Sequence, residues 1–226
     1  MTPANSQRRR PMVTARREVT TTRPYDHEIV LCRHAETQLN IEQRLRGRAD
    51  PPLSPHGVRQ AEALAASFDA APPAVVVSSP RRRALETAVT ISRRHRAPVA
   101  VEPRLDDIDY GAWTGMSHDE LRKDWPELYE RYLHDPASVE FPSGETVAAV
   151  QERALALVGE IAALDRHAHV ALVTHDAIIR LIVCRLLGAP IATMHQLAIG
   201  LASTTGLVVR DHEPRIAWLA AQAKGT

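Results

Sequence analysis

The sequence predicts a three-layer α/β/α sandwich built on a mostly parallel central sheet. Three observations lead there. Short apolar runs of strand length recur at residues 29–32, 74–77 and 169–173, each closing in polar loop residues. Stretches with apolar residues at helical spacing separate them, so the chain alternates in βα fashion, the pattern of parallel sheets covered by helices. A length of 226 residues, 44% of them hydrophobic, suffices for one substantial core without division into two.

The first strand is the run Ile29-Val30-Leu31-Cys32, which leads straight into Arg33 and His34. The turn sequence Pro51-Pro52-Leu53-Ser54-Pro55 then precedes a helix over 57–68, with Val58, Ala61, Leu64, Ala65 and Phe68 on one face. Ala74-Val75-Val76-Val77 is the second strand and opens through Ser78-Ser79-Pro80 into a helix over 81–95. A third helix covers 117–133, with polar and aromatic faces. A long amphipathic helix over 145–164 carries the stripe Val147, Val150, Ala154, Leu157 and Ile161. The strand 169–174 ends at His175 and passes into an apolar helix over 177–187. Two late strands, 206–210 and 215–219, flank the charged turn Asp211-His212-Glu213-Pro214, and no internal repeat is visible.

Charge and cysteine content narrow the function classes. Residues 1–26 hold six arginines against Glu18 and Asp26, with few apolar residues, and read as a disordered, Arg-rich extension. That segment lacks the apolar core of a secretory signal, and no aromatic residue precedes Tyr25 to pair with the arginines, so nucleic acid is disfavoured as a partner. No run approaches the ~20 apolar residues that span a bilayer, so no membrane partner is expected. Cys32 and Cys184, far apart in apolar segments, read as core packing in a reducing compartment, which favours the cytoplasm. No CxxC or HExxH spacing occurs, and a zinc site is disfavoured. A homo-oligomer is compatible with this composition.

Chemistry concentrates at the strand ends. A guanidinium beside an imidazole at the carboxyl end of a buried strand suits an anion, and ligands of open α/β sheets bind there. Arg33 and His34 follow the first strand, Arg83 the second and His175 the third. A histidine at one strand end is ordinarily a solvated or hydrogen-bonded loop residue; recurrence of the arrangement at three points to one phosphoryl-sized site.

Five blocks carry a resemblance. They are Arg33-His34-Ala35-Glu36-Thr37-Gln38-Leu39-Asn40, Ser78-Ser79-Pro80-Arg81-Arg82-Arg83-Ala84-Leu85-Glu86-Thr87-Ala88 and Asp107-Ile108-Asp109-Tyr110-Gly111-Ala112-Trp113-Thr114-Gly115, then Pro142-Ser143-Gly144-Glu145-Thr146 and Val173-Thr174-His175-Asp176-Ala177-Ile178-Ile179-Arg180. In this order they resemble the histidine phosphatase superfamily, also called phosphoglycerate mutase-like, with Ala35 in place of the usual Gly of its RHGET motif. The resemblance implies that residues 27–226 form the catalytic domain, with 114–142 as a specificity cap. It implies a metal-independent phosphomonoester hydrolase without a cofactor, in which His34 becomes phosphohistidine and Arg33, Arg83 and His175 hold phosphoryl oxygens. Asn40 matches a phosphate-contacting position, and Arg44 and Gly47 continue that loop.

The proton donor is open between two acids. The family places Glu where this chain has Asp107, one methylene and about 1.5 Å shorter. Asp106 and Asp109 are neighbours, Asp106 facing away in extended backbone. Asp176 is the rival, since His175-Asp176 resembles the pair of the acid-phosphatase branch; the RHAET motif favours Asp107. The family's mutases carry a long basic insertion before the second histidine, and the compact spacing from Asp107 to His175 resembles the phosphatases. The substrate class expected is a small phosphorylated metabolite or sugar phosphate. A phosphoglycerate-type mutase and a non-catalytic phosphate-binding module are the alternatives. In the cap, Arg122, Lys123, Trp125, Tyr129, Arg131, Tyr132 and His134 could face substrate, although a solvated helix face is the simpler reading for most of them.

Overall fold

In the computed structural model, residues 27–164 and 169–223 are described; the expected Arg-rich extension lies outside them. Six strands form one sheet. They are β1 (His27–Arg33), β2 (Val75–Ser78), β3 (Val99–Val101), β4 (His169–Thr174), β5 (Ser203–Arg210) and β6 (Glu213–Gln222), in the order β3-β2-β4-β1-β5-β6. The first four neighbours are parallel, with Leu31 beside Leu172 and Val76 beside Ala171. β5 runs antiparallel to β1, and β6 to β5. The mostly parallel sheet of the sequence reading is therefore present, extended by an antiparallel hairpin at one edge.

Alternation along the buried strands divides the core into two layers. Ile29 and Leu31 face one side of the sheet with Leu172, Val158 and Ile178; Val30 and Cys32 face the other with Val173, Leu64 and Ile91. The first side is covered by α6 (Val147–Ala162) and α7 (Asp176–Leu186), the second by α2 (Pro55–Ser67) and α3 (Arg82–His95). Each fully buried Leu or Ile contributes about 1.5–3 kcal/mol of transfer free energy. Local chemistry sets where the helices start. Ser54 accepts from the Gly57 N–H at 2.9 Å with Pro55 at the first helical position, and Thr146 accepts from the Ala149 N–H. Cys32 and Cys184 are buried and unbridged.

The stretch 117–133 departs from the single helix expected. It forms α4 (His118–Asp124) and α5 (Pro126–His134), broken at Trp125 with φ −134° and ψ 48°. Pro126 removes an N–H and disfavours helical backbone at the residue before it, so the first helix stops there and the second begins on the proline. The edge strand β3 and the one-turn helix α1 (Gln38–Ile41) have no counterpart in the sequence reading, nor do the short 3-10 turns such as Ile191–Gln196. No helix among the described residues is long and apolar enough to cross a membrane.

Candidate active site

The order β2-β4-β1 sets three carboxyl ends side by side. Backbone bonds continue past the strands and fix the loops to one another: His34 N–H donates to Thr174 O, and Ser79 N–H to Val173 O, each at 2.9 Å. His34 and His175 are both fully buried, with ring centroids 5.2 Å apart. The sequence-derived set Arg33, His34, Arg83 and His175 is brought together, and Asp107 joins it.

His34 is held in one tautomer. Its Nδ1 lies 2.7 Å from the carbonyl oxygen of Ala35, which can only accept, so Nδ1 carries the hydrogen. Nε2 then bears the lone pair, and it is buried without a partner among the described residues. Burial first, then Arg83, Arg33 and Arg46, hold the ring well below its ordinary value of 6.5. His175 is held neutral in the same way, by burial and then Arg83, His34 and Arg46. Its Nε2 meets Ser79 Oγ at 2.8 Å, and its Nδ1 lies 3.6 Å from Asp107 Oδ2.

The two candidate acids have opposite surroundings. Asp107 is buried, and burial pushes its carboxyl up from 3.8 against the smaller opposing pull of Arg83 and Arg46. Arg83 Nη2 donates to its Oδ2 at 2.9 Å, and the Ile108 N–H to its Oδ1 at 3.0 Å. Burial acts the same way on Asp176, but Arg33, Arg46 and Arg180 together outweigh it and hold that carboxyl far below the usual range. A group locked as carboxylate at neutral pH cannot deliver a proton, and a raised value favours the protonated form. Asp106 points away, to Arg81 at 2.9 Å, and Asp109 to Arg48 at 3.1 Å.

A cavity of about 430 Å³ opens in front of this group, walled by Arg33, Asn40, Arg46, Tyr132, Asp176 and Arg180 among others. Asn40 Oδ1 accepts from the N–H and Oγ of Thr37, leaving its Nδ2 hydrogens for the cavity it lines. Arg44 reaches the cavity, yet its guanidinium donates to Glu120 Oε2 at 2.7 Å and Gly115 O at 2.8 Å, tying the loop to α4. Gly47 takes φ +47°, and its carbonyl accepts from Arg83 Nη2 at 2.9 Å. Of the seven cap side chains singled out above, Tyr132 lines this cavity. Arg122, Lys123, Arg131 and His134 are exposed, and Tyr129 is buried beside Trp113.

Three side chains escaped the sequence reading. Arg46 acts on every titrating group of the centre, and its one signal was a second arginine two residues beyond Arg44. Arg180 stood inside a quoted block without a role. Arg153, on α6, donates to the carbonyls of Arg104, Asp106 and Asp107 at 2.7–3.1 Å and pairs with Glu145, so it clamps the segment that carries Asp107. Among the described residues, no group of three His, Cys, Asp or Glu side chains is arranged to hold a metal ion.

Fold and site together define an α/β protein with two buried imidazoles among arginines at the carboxyl ends of its parallel strands. The chain belongs to the histidine phosphatase superfamily (branch 1), whose family model matches residues 29–222. It is 34% identical over 165 residues to phosphoserine phosphatase 1 of Hydrogenobacter thermophilus, covering 73% of this chain and 78% of the relative. It is 35% identical over 172 residues to glucosyl-3-phosphoglycerate phosphatase of Mycolicibacterium vanbaalenii, covering 72% and 75%. Against three further mycobacterial relatives it spans 48% of their length. Among solved structures, mycobacterial glucosyl-3-phosphoglycerate phosphatase Rv2419c in complex with VO3 superposes with a TM-score of 0.76 at 32% identity, over 87% of this chain and 100% of that one.

Proposed function

We propose that this chain hydrolyses small phosphomonoesters through a phosphohistidine at His34. The observation that carries the reading is the unpartnered, buried Nε2 of His34, with Nδ1 committed to the Ala35 carbonyl. In the first step the Nε2 lone pair forms an N–P bond in line with the ester oxygen as the P–O bond breaks. The leaving oxygen takes the bond pair and the proton of Asp107. Arg33 and Arg83 face the non-bridging oxygens with fixed N–H forks, and His175 donates where negative charge is greatest in the transition state. In the second step water attacks phosphorus, the N–P pair returns to Nε2, and the Asp107 carboxylate accepts the proton of the water. Ester and water give alcohol and inorganic phosphate.

Asp107 is preferred to Asp176 as the donor because burial raises its carboxyl above 3.8, while three arginines hold that of Asp176 far below the usual range. Residues 114–142 act as the specificity cap in this reading, through Tyr132, Leu133 and His118 on the cavity wall. The substrate is a small phosphorylated metabolite; the relatives above are named for phosphoserine and glucosyl-3-phosphoglycerate. The buried, unbridged cysteines suit the cytoplasm.

The test is steady-state phosphate release from a panel of phosphomonoesters with EDTA present, wild type against His34→Ala. Release by the wild type and loss of at least about a thousandfold in the variant are expected. Acid quenching during turnover should trap label on His34. Wild-type-like turnover by His34→Ala would remove the nucleophile assignment.

A further inference from the structure

The two imidazoles of the centre are set by different kinds of partner. A carbonyl, which only accepts, fixes the hydrogen of His34. On His175 the partner is a hydroxyl, that of Ser79, 2.8 Å from Nε2. A hydroxyl can donate or accept, so the tautomer of His175 depends on where the Ser79 hydrogen goes.

Ser79 is held in place from several sides. It stands one residue past β2, fully buried, and its N–H donates to Val173 O on β4, two residues before His175. Its carbonyl accepts from Ser78 Oγ at 2.9 Å. The hydroxyl oxygen accepts the Arg81 N–H at 3.2 Å, which occupies one lone pair. Two acceptors then compete for its single hydrogen: His175 Nε2 at 2.8 Å and Asp106 Oδ1 at 3.5 Å. The longer distance is at the limit for an O–H···O bond. Asp106 Oδ1 is also supplied already, by the Asp107 N–H at 2.9 Å and by Arg81 Nε at 2.9 Å. The Ser79 hydrogen therefore goes to His175 Nε2.

The consequence falls on the other ring nitrogen. His175 is neutral and carries one hydrogen, which must sit on Nδ1 once Nε2 accepts. That Nδ1 is buried without a partner among the described residues, and Asp107 Oδ2 at 3.6 Å is too far for a hydrogen bond. The opposite tautomer would present a lone pair where negative charge develops on the phosphoryl group.

We propose that Ser79 is a positioning residue, whose hydroxyl fixes the tautomer of His175 and so makes Nδ1–H the donor to the phosphoryl oxygens. A carbonyl in its place would impose the wrong tautomer, and an apolar side chain would impose none. The inference rests on the phosphomonoesterase reading above.

The experiment combines kinetics with ring-nitrogen NMR of isotope-labelled histidine, the His175 signals being assigned with His175→Gln. In the wild type the hydrogen should reside on Nδ1, and in Ser79→Ala the two tautomers should mix. The variant should lose about ten- to a hundredfold in kcat, less than removal of a donor outright can cost, with KM little changed. The loss should be equal on alkyl and p-nitrophenyl phosphates, because the donor serves the phosphoryl oxygens and not the leaving group. Ser79→Thr, which keeps the hydroxyl, should recover most of the activity. Ser79→Ala combined with His175→Gln should be no slower than His175→Gln alone, whereas a merely structural role would add its own loss. If Ser79→Ala does not fold, Ser79→Cys replaces it, since a thiol is a weak donor. A wild-type hydrogen on Nε2 overturns the proposal, and so does a single Nδ1–H tautomer retained in the variant. Additive losses in the double variant overturn it as well. Absence of turnover on every ester defeats the phosphatase reading, and the spectra still decide the tautomer.

Discussion

Arg83 and Asp107 meet as an ion pair sealed from solvent, Nη2 to Oδ2 at 2.9 Å, with side-chain exposures of 0% and 2%. A pair in that position is tuned more than stabilised. Desolvation opposes both charges, and the Asp107 carboxyl ends above 3.8 in spite of its partner. Proton donation requires the protonated form, so kcat/KM for alkyl phosphates should decline as pH rises through that raised value. The neutral His34 required for attack is lost only well below pH 6.5, which places the acid limb there. Asp107→Asn should remove the alkaline limb and lower kcat on alkyl esters by about 10²–10⁴. p-Nitrophenyl phosphate, whose leaving group needs little protonation, should suffer less. Profiles from pH 4 to 9 on both esters check this; an alkaline limb persisting in Asp107→Asn would return the role to another acid.

The two buried histidines also predict how stability follows pH. Each has its folded-state value pushed far below 6.5, while in the unfolded chain it protonates near 6.5. Above that pH both states are neutral and the histidines contribute nothing to the slope. Below it the unfolded chain binds protons the folded chain refuses, so stability drops as pH falls. The limiting slope is about 1.4 kcal/mol per pH unit for each histidine. Urea unfolding between pH 7.5 and 5 should show this decline, and His34→Ala should reduce its limiting steepness by about 1.4 kcal/mol per pH unit, His118 and His195, also held below 6.5, adding to what remains. A wild-type stability that stays flat over this interval would contradict the neutral, desolvated state of both rings.

Much of this site was legible because phosphate chemistry and parallel sheets both leave local marks. β1 and β4 are apolar runs with functional groups at their ends, Arg33 closing β1 and His34 and His175 one residue beyond a strand, while Arg83 follows β2 within the first turn of the next helix. What was hidden is non-local or too short. β3 is three residues at a sheet edge, partly or fully exposed, with no period to detect. The break at Trp125 lies inside a continuous helical pattern, and Pro126 is its only mark. Arg153 sits among the polar positions of an amphipathic helix and looks solvated in sequence, while its hydrogen bonds run to residues more than 45 positions earlier. Arg46 gains its importance from Asp176, 130 positions away. No local pattern encodes such partners.

That clamp is open to a direct test. Arg153 binds the carbonyls of Asp106 and Asp107 without lining the cavity, and its charge acts on His175 only as the least of the causes that keep that ring neutral. It is a positioning residue for the Asp107 carboxyl. Arg153→Met should lower kcat for alkyl phosphates by about 10²-fold, with a smaller loss on p-nitrophenyl phosphate and little change in KM, because misplacement by about 1 Å is enough for that cost. A merely structural role would reduce the kcat of both esters equally. The dependence of kcat on leaving-group pKa separates the two, since it should steepen in the variant.

Gly111 marks the other support of the same segment. Its backbone takes φ +51°, and a Cβ placed on it would lie 2.0 Å from the carbonyl oxygen of Pro142. That carbonyl accepts the Ala112 N–H at 2.9 Å, and Glu145 N–H donates to Asp109 O at 2.9 Å, so the turn over 142–145 is pressed flat against 109–112. A methyl group there meets backbone atoms of Pro142, Ser143 and Gly144 and no flexible side chain that could move aside. Gly111→Ala should therefore cost about 3 kcal/mol, combining the unfavourable backbone conformation with the clash. For a domain of this size that is roughly 6–12 °C in Tm. Because Tyr110 forms part of the cavity wall and adjoins Gly111, the variant should also raise KM for the substrate. Differential scanning calorimetry with steady-state kinetics checks both effects. A Tm within about 2 °C of wild type would mean that the two segments separate easily, and the tight seating of 142–145 on the Asp107 segment would have to be abandoned.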